Sequence, residues 1–459
     1  MLVLGGGPAG SSAARLLSTW GHSVRLITRP AGESRLAVSI PPSCHKLFDA
    51  IGVGDAIERA GFVRSTGNTV WWGRPEPRVE TFADGARGWQ ASMHVLERVL
   101  LEQAAAAGVA IEHRAIGAGD LEPQLARFVI DGTGRSGVLA RLNSVRVYDD
   151  GPRTVALAAS WTRDGDWPVP DDTHTLIESY ESGWAWSVPT SPGTRHIAVM
   201  VDPQRSGLVR DAPAREVYLA EIAKTSAFRD LASAASCIDG PWGWDASGYR
   251  AVQYAGDHWL LAGDAGSFID PLSSAGVKKA LASGWLAAVA VHTSLTRPAM
   301  RAHSLGFFSG REQEIEGHYS RMSRLFLAEA APTHPHAFWR DRSDSPEAAT
   351  HVDTAAVREA FERLRSATSI HLSLGEARIE PHPAVRGHEI VLEPAIVCDD
   401  GPIRFVRGVD VVALRDLGPR FAQVPDLFDE YCRTIGPVAL HDFLFALATA
   451  VARRWFVSQ

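Results

Sequence analysis

The first ten residues carry the pattern that is most informative about chemistry. A short apolar strand at 2–4 leads into Gly5-Gly6-Gly7-Pro8-Ala9-Gly10, and a helix start follows. In this order, Gly5 allows a tight turn, Gly7 lets the backbone approach a pyrophosphate, and Gly10 lets the helix pack on the strand. The N–H groups of the helix start would bind the phosphates. The pattern predicts a dinucleotide cradle that includes Pro8 and Ala9; the alternative is a glycine-rich turn without a ligand.

Two later stretches indicate which dinucleotide this is. The apolar strand at 259–262 ends in Gly263-Asp264 and is followed by a loop and a helix from about Lys278. It resembles the second flavin fingerprint of the glutathione-reductase-like flavoproteins, in which the aspartate binds the ribityl chain. Between the two glycine motifs, the stretch 126–136 contains Asp131-Gly132 and resembles a third fingerprint of that family. Three fingerprints in the family's order imply FAD.

Composition excludes several other classes of protein. The chain has 459 residues, 45% of them hydrophobic and 22% charged, which is typical of a soluble globular protein with two or three domains. A net charge of −7 argues against a nucleic-acid partner. The four cysteines form no C-x-x-C pair, so we expect no metal site, no disulfide scaffold and a cytoplasmic location. No stretch predicts a signal peptide or a membrane span.

The elements that must position these motifs alternate between helices and strands. We predict an α/β fold: a glutathione-reductase-like FAD-binding Rossmann domain over 1–335, with an inserted antiparallel β-sheet (about 60–95 and 150–255) that covers the flavin. A proline-rich linker separates it from a C-terminal α/β module at 349–459. The short strands and helices of that module suggest a winged-helix-like unit or a helical extension.

Residues next to the fingerprints narrow the class. Gly183-Trp184-Ala185-Trp186-Ser187-Val188-Pro189 resembles the W-x-W-x-I-P pattern of flavin-dependent halogenases, and 270–277 resembles their D-P-x-x-S-x-G-V loop. The segment 32–42 is similar to their early flavin-contacting segment. The resemblance covers about 1–330 and implies that Pro271, Ser274, Gly276 and Val277 contact FAD, with Trp71, Trp184 and Trp186 at the substrate pocket. Alternating aromatics on a strand can also simply fill a core.

Departures from the halogenase pattern change the expected reaction. Halogenases need a lysine that handles hypohalous acid, and here Ser65 stands at that position, beside Arg64, with no lysine anywhere in 47–223. A guanidinium stays protonated and cannot readily replace the amine. The carboxylate that tryptophan halogenases carry in the proline loop corresponds to Ser273. Halogenation is therefore the minor prediction.

Two further departures concern FAD. The strand ending at Thr28 is followed by Arg29 instead of the usual acidic residue, and a family arginine corresponds to Met93. Both changes predict weak FAD binding, as in an enzyme that receives reduced FAD from a separate reductase. We assign Arg29 and Arg35 as additional cofactor-binding candidates.

A halogenase-like pocket without the lysine resembles the flavoprotein monooxygenases that hydroxylate a tryptophan side chain during tryptophylquinone biogenesis. The resemblance implies an FAD- and O₂-dependent enzyme acting on a peptide or small protein, through a wide and open pocket. Candidates for proton transfer are Arg64, His94, Lys278 and Lys279. Alternatives are an aromatic halogenase, a small-molecule aromatic hydroxylase, a prenyl-chain reductase and a peptide-binding chaperone without turnover.

Overall fold

The computed structural model describes residues 1–30, 35–117, 120, 126–208, 213–233, 235–343, 354–366, 371–375, 377–398 and 401–458. The chain divides into two compact units, Met1–Pro346 and Glu347–Gln459. The predicted flavin-contacting residues at 32–34 lie outside the described residues. No helix among the described residues is long and apolar enough to cross a membrane.

The strands and helices of the first unit follow one another in α/β order. Its strands are β1 (Leu2–Leu4), β2 (Arg25–Thr28), β3 (Ala37–Ile40), β4 (Val63–Ser65), β5 (Gly67–Trp71), β6 (Arg78–Thr81), β7 (Gly88–Ser92), β8 (Ala110–His113), β9 (Val129–Asp131), β10 (Arg146–Tyr148), β11 (Val155–Thr162), β12 (Thr175–Tyr180), β13 (Gly183–Ser191), β14 (Thr194–Val201), β15 (Ser236–Asp245), β16 (Tyr249–Ala251), β17 (Ala255–Gly256) and β18 (Trp259–Leu261). Its helices are α1 (Pro8–Thr19), α2 (His45–Ile51), α3 (Gly54–Arg59), α4 (Met93–Ala106), α5 (Val138–Leu142), α6 (Ala214–Ala223), α7 (Ala227–Ser233), α8 (Gly276–Thr296), α9 (Arg301–Ala330) and α10 (Ala337–Arg340).

Six of the described strands form a sheet in the order β17-β18-β9-β1-β2-β8, and only the edge pair β17–β18 is antiparallel. Every residue of β1 is buried, as expected for a strand between parallel neighbours whose faces are covered by helices. Helix α1 packs against α4 and α8. This sheet confirms the predicted Rossmann-type core, and it places the carboxyl ends of β1, β9 and β18 side by side, where α/β sheets bind ligands.

A second sheet confirms the predicted antiparallel cover. Seven of the described strands pair in the order β15-β11-β14-β13-β12-β5-β6, and only β12 and β5 are parallel. Trp184 lies opposite Met200, and Trp186 lies opposite Ala198. Because side chains alternate along a strand, Trp184 and Met200 pack on one face of the sheet, while Ala185 and Val199 pack on the other.

The sequence pattern over 43–60 predicts one helix, and the structure interrupts it. The helix expected over 43–60 is divided into α2 and α3, because Gly52 adopts a left-handed conformation (φ 78°) that ends α2. The sequence also predicts a helix from about Lys278 to Thr293 within a mostly helical stretch that reaches Glu329, and the structure has α8 and α9 there, separated by a short 3₁₀ turn that begins at Pro298. Proline lacks the N–H that would continue the helical hydrogen bonds.

The second unit has a core of its own. Its elements are α11 (Thr354–Ser366), β19 (Leu372–Leu374), β20 (Arg378–Arg386), β21 (Glu389–Cys398), β22 (Gly401–Ile403), β23 (Phe405–Val406), β24 (Val409–Asp410), α12 (Val411–Leu417), α13 (Val424–Thr434), α14 (Leu440–Ala452) and β25 (Phe456–Ser458). The sequence predicts helices over 354–366, 424–435 and 440–455, and α11, α13 and α14 confirm them. Strand β20 contains Pro381 and Pro383 and lies at the edge of its sheet, paired with β21, which is where prolines are tolerated in a sheet.

Candidate active site

The turn between β1 and α1 forms the first wall of a large cavity. Gly5 has a φ of 91°, and a Cβ at this position would collide with the Gly132 carbonyl. A Cβ at Gly10 would collide with the carbonyl oxygen of Gly5, so α1 can approach β1 only when residue 10 is glycine. Pro8 occupies the first turn of α1, where its missing N–H is not needed. The turn can therefore bring a helix N-terminus close to an anionic ligand.

Two aspartates lie at or just after the carboxyl ends of neighbouring strands of the Rossmann sheet, but they have different surroundings. The buried Asp131 carboxylate accepts hydrogen bonds from the Thr133 N–H at 3.0 Å, the Thr133 hydroxyl at 2.6 Å and the Leu139 N–H at 2.6 Å. These hydrogen bonds use the acceptor atoms of the Asp131 carboxylate to order the loop after β9. Asp264, in the turn after β18, lines the cavity, with the Lys279 Nζ 3.5 Å from its Oδ1. Asp264 is therefore the carboxylate available to a ligand.

The loop before α8 forms another part of the wall. The Asp270 carboxylate accepts a hydrogen bond from the Leu272 N–H at 2.9 Å and so fixes the turn. Ser274 has a φ of 49°, in the left-handed region. Pro271, Ser274, Gly276 and Val277 line the cavity beside the start of α8.

The cavity has a volume of about 750 Å³, within the range of about 300–1,000 Å³ that is usual for cofactor and ligand sites. Among the predicted cofactor residues, those that line it are Gly5, Gly7, Pro8, Ala9, Arg29, Gly132, Asp264, Pro271, Ser274, Gly276 and Val277. The predicted residues Gly10, Arg35, Asp131 and Gly263 do not line it. The guanidinium of Arg35 instead lies 5.0 Å from the centre of the Trp242 ring.

The antiparallel sheet closes the cavity from the other side. Three alanines, Ala156, Ala158 and Ala198, leave room in front of β11 and β14, and the larger side chains of Trp186 and Trp244 line the same wall. A flat ring system can approach a surface of this kind closely, and the surrounding indoles exclude water from it. Of the three tryptophans predicted at the substrate pocket, Trp186 is the one that reaches this cavity.

His196 is a cavity-lining residue that the sequence did not reveal. It is 4% exposed, and its ring lies between Trp186 and Trp242, with centroid distances of 6.2 and 6.5 Å. No described residue hydrogen-bonds its ring nitrogens. Burial lowers the pKa of His196 to about 4, so the imidazole is neutral at physiological pH and can donate or accept a hydrogen bond. Only the register of β14 against β13 brings it to this wall.

Glu97 is a second cavity-lining residue that the sequence analysis did not identify. It lies four residues after Met93, the position at which related flavoproteins carry an arginine. Both residues line the cavity from α4. A Cβ added to Gly7 would lie 3.8 Å from the Glu97 Oε1, so this carboxyl group stands next to the glycine turn. Burial raises the pKa of Glu97 to about 7, which allows it to act as a hydrogen-bond donor near neutral pH.

A second, smaller cavity of about 210 Å³ adjoins the first, and Ser39 and Ser274 line both. Its lining combines apolar and polar side chains; it includes Val70, Trp72, Phe82, Ile177, Leu272 and Phe326, together with Asn68, Arg78 and Glu80. Glu80 is exposed and pairs with Arg78 at 2.5 Å. Because an exposed residue belongs to its lining, this cavity reaches the surface.

The position of the halogenase lysine lies inside a buried polar cluster. Ser65 is 1% exposed and donates a hydrogen bond to the Gly67 carbonyl at 3.2 Å. The Gln90 amide donates to the Ser65 hydroxyl at 3.2 Å and to the Thr175 hydroxyl at 2.9 Å. The Thr175 hydroxyl is in turn 2.9 Å from that of Ser39. This cluster ends at Ser39, the residue shared by the two cavities.

The predicted proton-transfer residues lie outside both cavities. Arg64 pairs with Glu58 at 2.6 Å and covers the Trp89 ring. His94 is partly buried in the first turn of α4, and Lys278 is partly buried in the first turn of α8. Trp71 packs in the cluster on the opposite face of the covering sheet, while its neighbour Trp72 lines the smaller cavity; Trp184 is buried in contact with Trp72.

Comparisons with known proteins agree with this geometry. Residues 1–117 match the family model described as FAD binding domain. The chain is 25% identical over 372 residues to the flavin-dependent halogenase armH3 of Armillaria mellea, covering 71% of this chain and 73% of the relative. It is 27% identical over 359 residues to a tryptophan 2-halogenase of Chondromyces crocatus, covering 71% and 66%.

Two solved structures share the fold over 99% of this chain. The flavin-dependent halogenase CmlS superposes with a TM-score of 0.80 at 21% identity, covering 99% of this chain and 94% of that one. QhpG, a peptidyl tryptophan dihydroxylase essential for tryptophylquinone cofactor biogenesis, superposes with a TM-score of 0.68 at 21% identity, covering 99% and 97%. At these identities the superpositions establish the fold.

The site, the fold and the relatives together define a flavin-dependent enzyme. The residues present fit FAD, because the glycine turn admits a close backbone approach and Asp264 presents a carboxylate at the adjacent strand end. The chain is similar to the flavin-dependent halogenases at 25–27% identity, and this agrees with the halogenase-like FAD enzyme that the sequence predicted.

Proposed function

We propose that this chain is an FAD-dependent monooxygenase that hydroxylates a tryptophan side chain of a peptide or small protein. Bound in the larger cavity in its reduced form, FAD would supply the activation of O₂. The substrate ring would enter the smaller cavity, and Ser39 and Ser274 would form the boundary between ring and cofactor. A separate flavin reductase would provide the electrons.

The observation that carries this proposal is the absence of a lysine at either cavity. The sequence contains only Lys46, Lys224, Lys278 and Lys279, and none of the four is among the described residues that line the cavities. Lys224 pairs with Glu221 at 2.6 Å, and Lys279 is buried beside Asp264. Without an amine to capture an oxidised halide, direct transfer of oxygen to an aromatic ring is the chemistry that remains.

The size and chemistry of the smaller cavity favour a single aromatic side chain as the guest. Its volume of about 210 Å³ is below the range of about 300–1,000 Å³ that holds a complete drug-sized molecule. Phe326, Trp72 and Ile177 offer aromatic and aliphatic contacts, and the opening at Glu80 would leave the remainder of a polypeptide outside. QhpG, a protein of the same fold, is a peptidyl tryptophan dihydroxylase and so acts on this kind of group.

The residues around the two cavities would have different roles in the reaction. Trp186 and Trp244 would exclude water from the reactive face of the cofactor, which prevents unproductive loss of activated oxygen. The neutral His196 would offer a hydrogen-bond acceptor for a proton released on that face. Ala156 and Ala158 would leave the approach to the cofactor unobstructed.

The experiment that tests the proposal combines the protein with FAD, NADH, a flavin reductase, O₂ and a tryptophan-containing polypeptide. We expect the polypeptide to gain the mass of one or two oxygen atoms, and fragmentation to place them on tryptophan. The same polypeptide with every tryptophan replaced by leucine is the matched control. Peroxide release without any mass gain, for a panel of such polypeptides, would contradict the peptide substrate and favour a small-molecule aromatic hydroxylase.

Halogenation of an aromatic substrate is the second candidate because the relatives at 25–27% identity are named halogenases. This reaction requires another group to replace the lysine. Ser65 and Gln90 are the polar groups at the corresponding position, but they are buried and bonded to each other. A hydroxyl and an amide lack the nucleophilic amine, so we rank halogenation below hydroxylation.

A further inference from the structure

Helix α8 carries two polar side chains that clamp the turn containing Asp264. The Ser283 hydroxyl accepts a hydrogen bond from the Gly263 N–H at 2.7 Å. One helical turn earlier, the Lys279 Nζ donates to the Ser267 carbonyl at 2.5 Å and lies 3.5 Å from the Asp264 Oδ1. The turn 263–267 is thus attached to α8 at both ends, with the Asp264 carboxylate between the two attachments.

A buried lysine at position 279 destabilises the fold unless its ammonium group is paired with an opposite charge. The Lys279 side chain is completely buried, and an isolated ammonium group is strongly disfavoured away from water. Asp264 is the carboxylate paired with it, and the Asp264 side chain is 29% exposed because it lines the cofactor cavity. The Lys279 ammonium group therefore attracts the Asp264 carboxylate from the protein interior, while the other side of that carboxylate faces the cofactor cavity.

A second buried carboxyl group faces the same lysine from α9. Glu312 is 0% exposed, and neither of its carboxylate oxygens makes a hydrogen bond of normal geometry to a described residue. Burial raises the pKa of Glu312 to about 7, an effect that Lys279 and Ser283 oppose and Asp264 reinforces. Tyr254 also lies close enough to interact with Glu312, and Glu316, a partly buried carboxyl of α9 whose pKa is raised by burial, interacts with Lys279 as well. The charge of Glu312 can therefore change near neutral pH.

We infer that Lys279 is a positioning residue for FAD: it orients and neutralises Asp264 from inside the protein. Buried Glu312 sets the net charge of the cluster formed by Lys279, Asp264 and Glu312. When Glu312 is protonated, Lys279 and Asp264 compensate each other. When Glu312 is ionised, the cluster carries one additional negative charge behind the binding site of an anionic cofactor. FAD affinity should then fall as the pH rises through neutrality. This inference concerns cofactor binding and stands independently of the reaction.

The test measures the dissociation constant of FAD, by flavin fluorescence quenching, for K279M and for K278M as the matched control. Loss of the cation beside Asp264 should weaken binding about tenfold, since one charge at a distance of several ångströms has an effect of that order. K279R should recover part of the affinity. Melting temperatures of the apoproteins, with K279M/E312Q as a variant that leaves no unpaired buried charge, show whether the fold is kept.

A double-mutant cycle distinguishes positioning from a structural role. If Lys279 acts through Asp264, K279M should add little to the loss already caused by D264N. E312Q should bind FAD about threefold more tightly than the unmodified protein at about pH 8 and equally at about pH 6. E97Q is measured beside it, because the pKa of Glu97 is also raised to about 7. Additive effects of K279M and D264N, or unchanged FAD affinity in K279M, would overturn the inference.

Discussion

The two cavities of the first unit are built from different kinds of sequence information. The larger one is lined on its Rossmann side by contiguous motifs at strand ends, such as Gly5–Ala9 and Pro271–Val277, whose spacing alone brings backbone N–H groups together. The smaller one is lined by single residues from distant parts of the chain, from Ser39 to Phe326. Cofactor binding is therefore encoded locally, whereas substrate selection depends on how the covering sheet and α9 pack.

This difference predicts that the two cavities can be damaged separately. A change in the glycine turn should remove the cofactor whatever the substrate. A change in the smaller cavity should alter substrate affinity and leave FAD binding intact. Any variant that changes FAD affinity and substrate affinity by the same factor would show that the cavities are coupled through Ser39 and Ser274.

The largest effect is expected for Gly10→Val. Its Cβ would collide with the Gly5 carbonyl and push α1 away from β1, so FAD affinity should fall by about 5- to 150-fold, since overpacking at one site costs about 1–3 kcal/mol. Equilibrium binding of FAD measures the change. The control is G306A in α9, where an added methyl meets no neighbour; wild-type binding by G10V would contradict the assignment of the cradle.

The second effect concerns His196 and the pH dependence of stability. Its pKa in the folded protein is lowered to about 4 by burial, so the unfolded chain binds the proton first as the pH falls below the ordinary value of about 6.5. Stability should decrease from about pH 6.5 to pH 4, and this residue should account for about 3 kcal/mol of the decrease.

Replacing His196 by phenylalanine should remove that part of the pH dependence while keeping the ring between Trp186 and Trp242. Chemical denaturation of both proteins at several pH values measures it. Parallel stability curves for the two proteins would show that His196 is not held neutral in the folded state.

The third effect is on the smaller cavity. Phe326→Ala should raise the KM for the polypeptide about tenfold, since losing an aromatic contact of about 1.5 kcal/mol changes an equilibrium by that factor. FAD affinity should not change. L325A is the matched control because Leu325 is 53% exposed and does not line the cavity; an equal KM increase in both variants would argue against this cavity as the substrate site.

The smallest effect is expected for Ser65→Ala. The variant loses the hydrogen bond from Gln90 and the one to the Gly67 carbonyl, while Gln90 keeps its bond to Thr175, so the free energy of unfolding should fall by about 1–2 kcal/mol. Turnover should stay within about twofold, because Ser65 lies behind the cavities. Melting temperature and turnover measure the two quantities, and a complete loss of turnover would mean that Ser65 has taken over the role of the lysine.

The sequence predicted the parts of the molecule that depend on short-range rules. The Rossmann sheet, the glycine turn and the loop before α8 follow from strand, turn and helix signals within a few residues. The break at Gly52 was missed because a left-handed glycine inside an otherwise helical pattern has no unique local signal. Asp131 carries the expected motif, yet its carboxylate is used by Thr133 and Leu139.

The residues that face the cofactor from the covering sheet could not be predicted in the same way. Whether His196 or a neighbour reaches the cavity is decided by the pairing of β14 with β13, and a shift by one residue would turn the imidazole to the opposite face. Trp71 and Trp72 follow the same rule. The two residues are identical in type, but they lie on opposite faces of the covering sheet, and only Trp72 lines one of the two cavities.

The most direct test of the central claim is one reaction in which transfer of oxygen competes with transfer of halogen. The protein, reduced FAD, bromide and isotopically labelled O₂ are incubated with a tryptophan-containing polypeptide, and the product is weighed. We predict labelled oxygen on tryptophan and no bromine, because none of the four lysines lines the described walls of either cavity. A brominated product would contradict the proposed hydroxylation and assign the chain to halogenation.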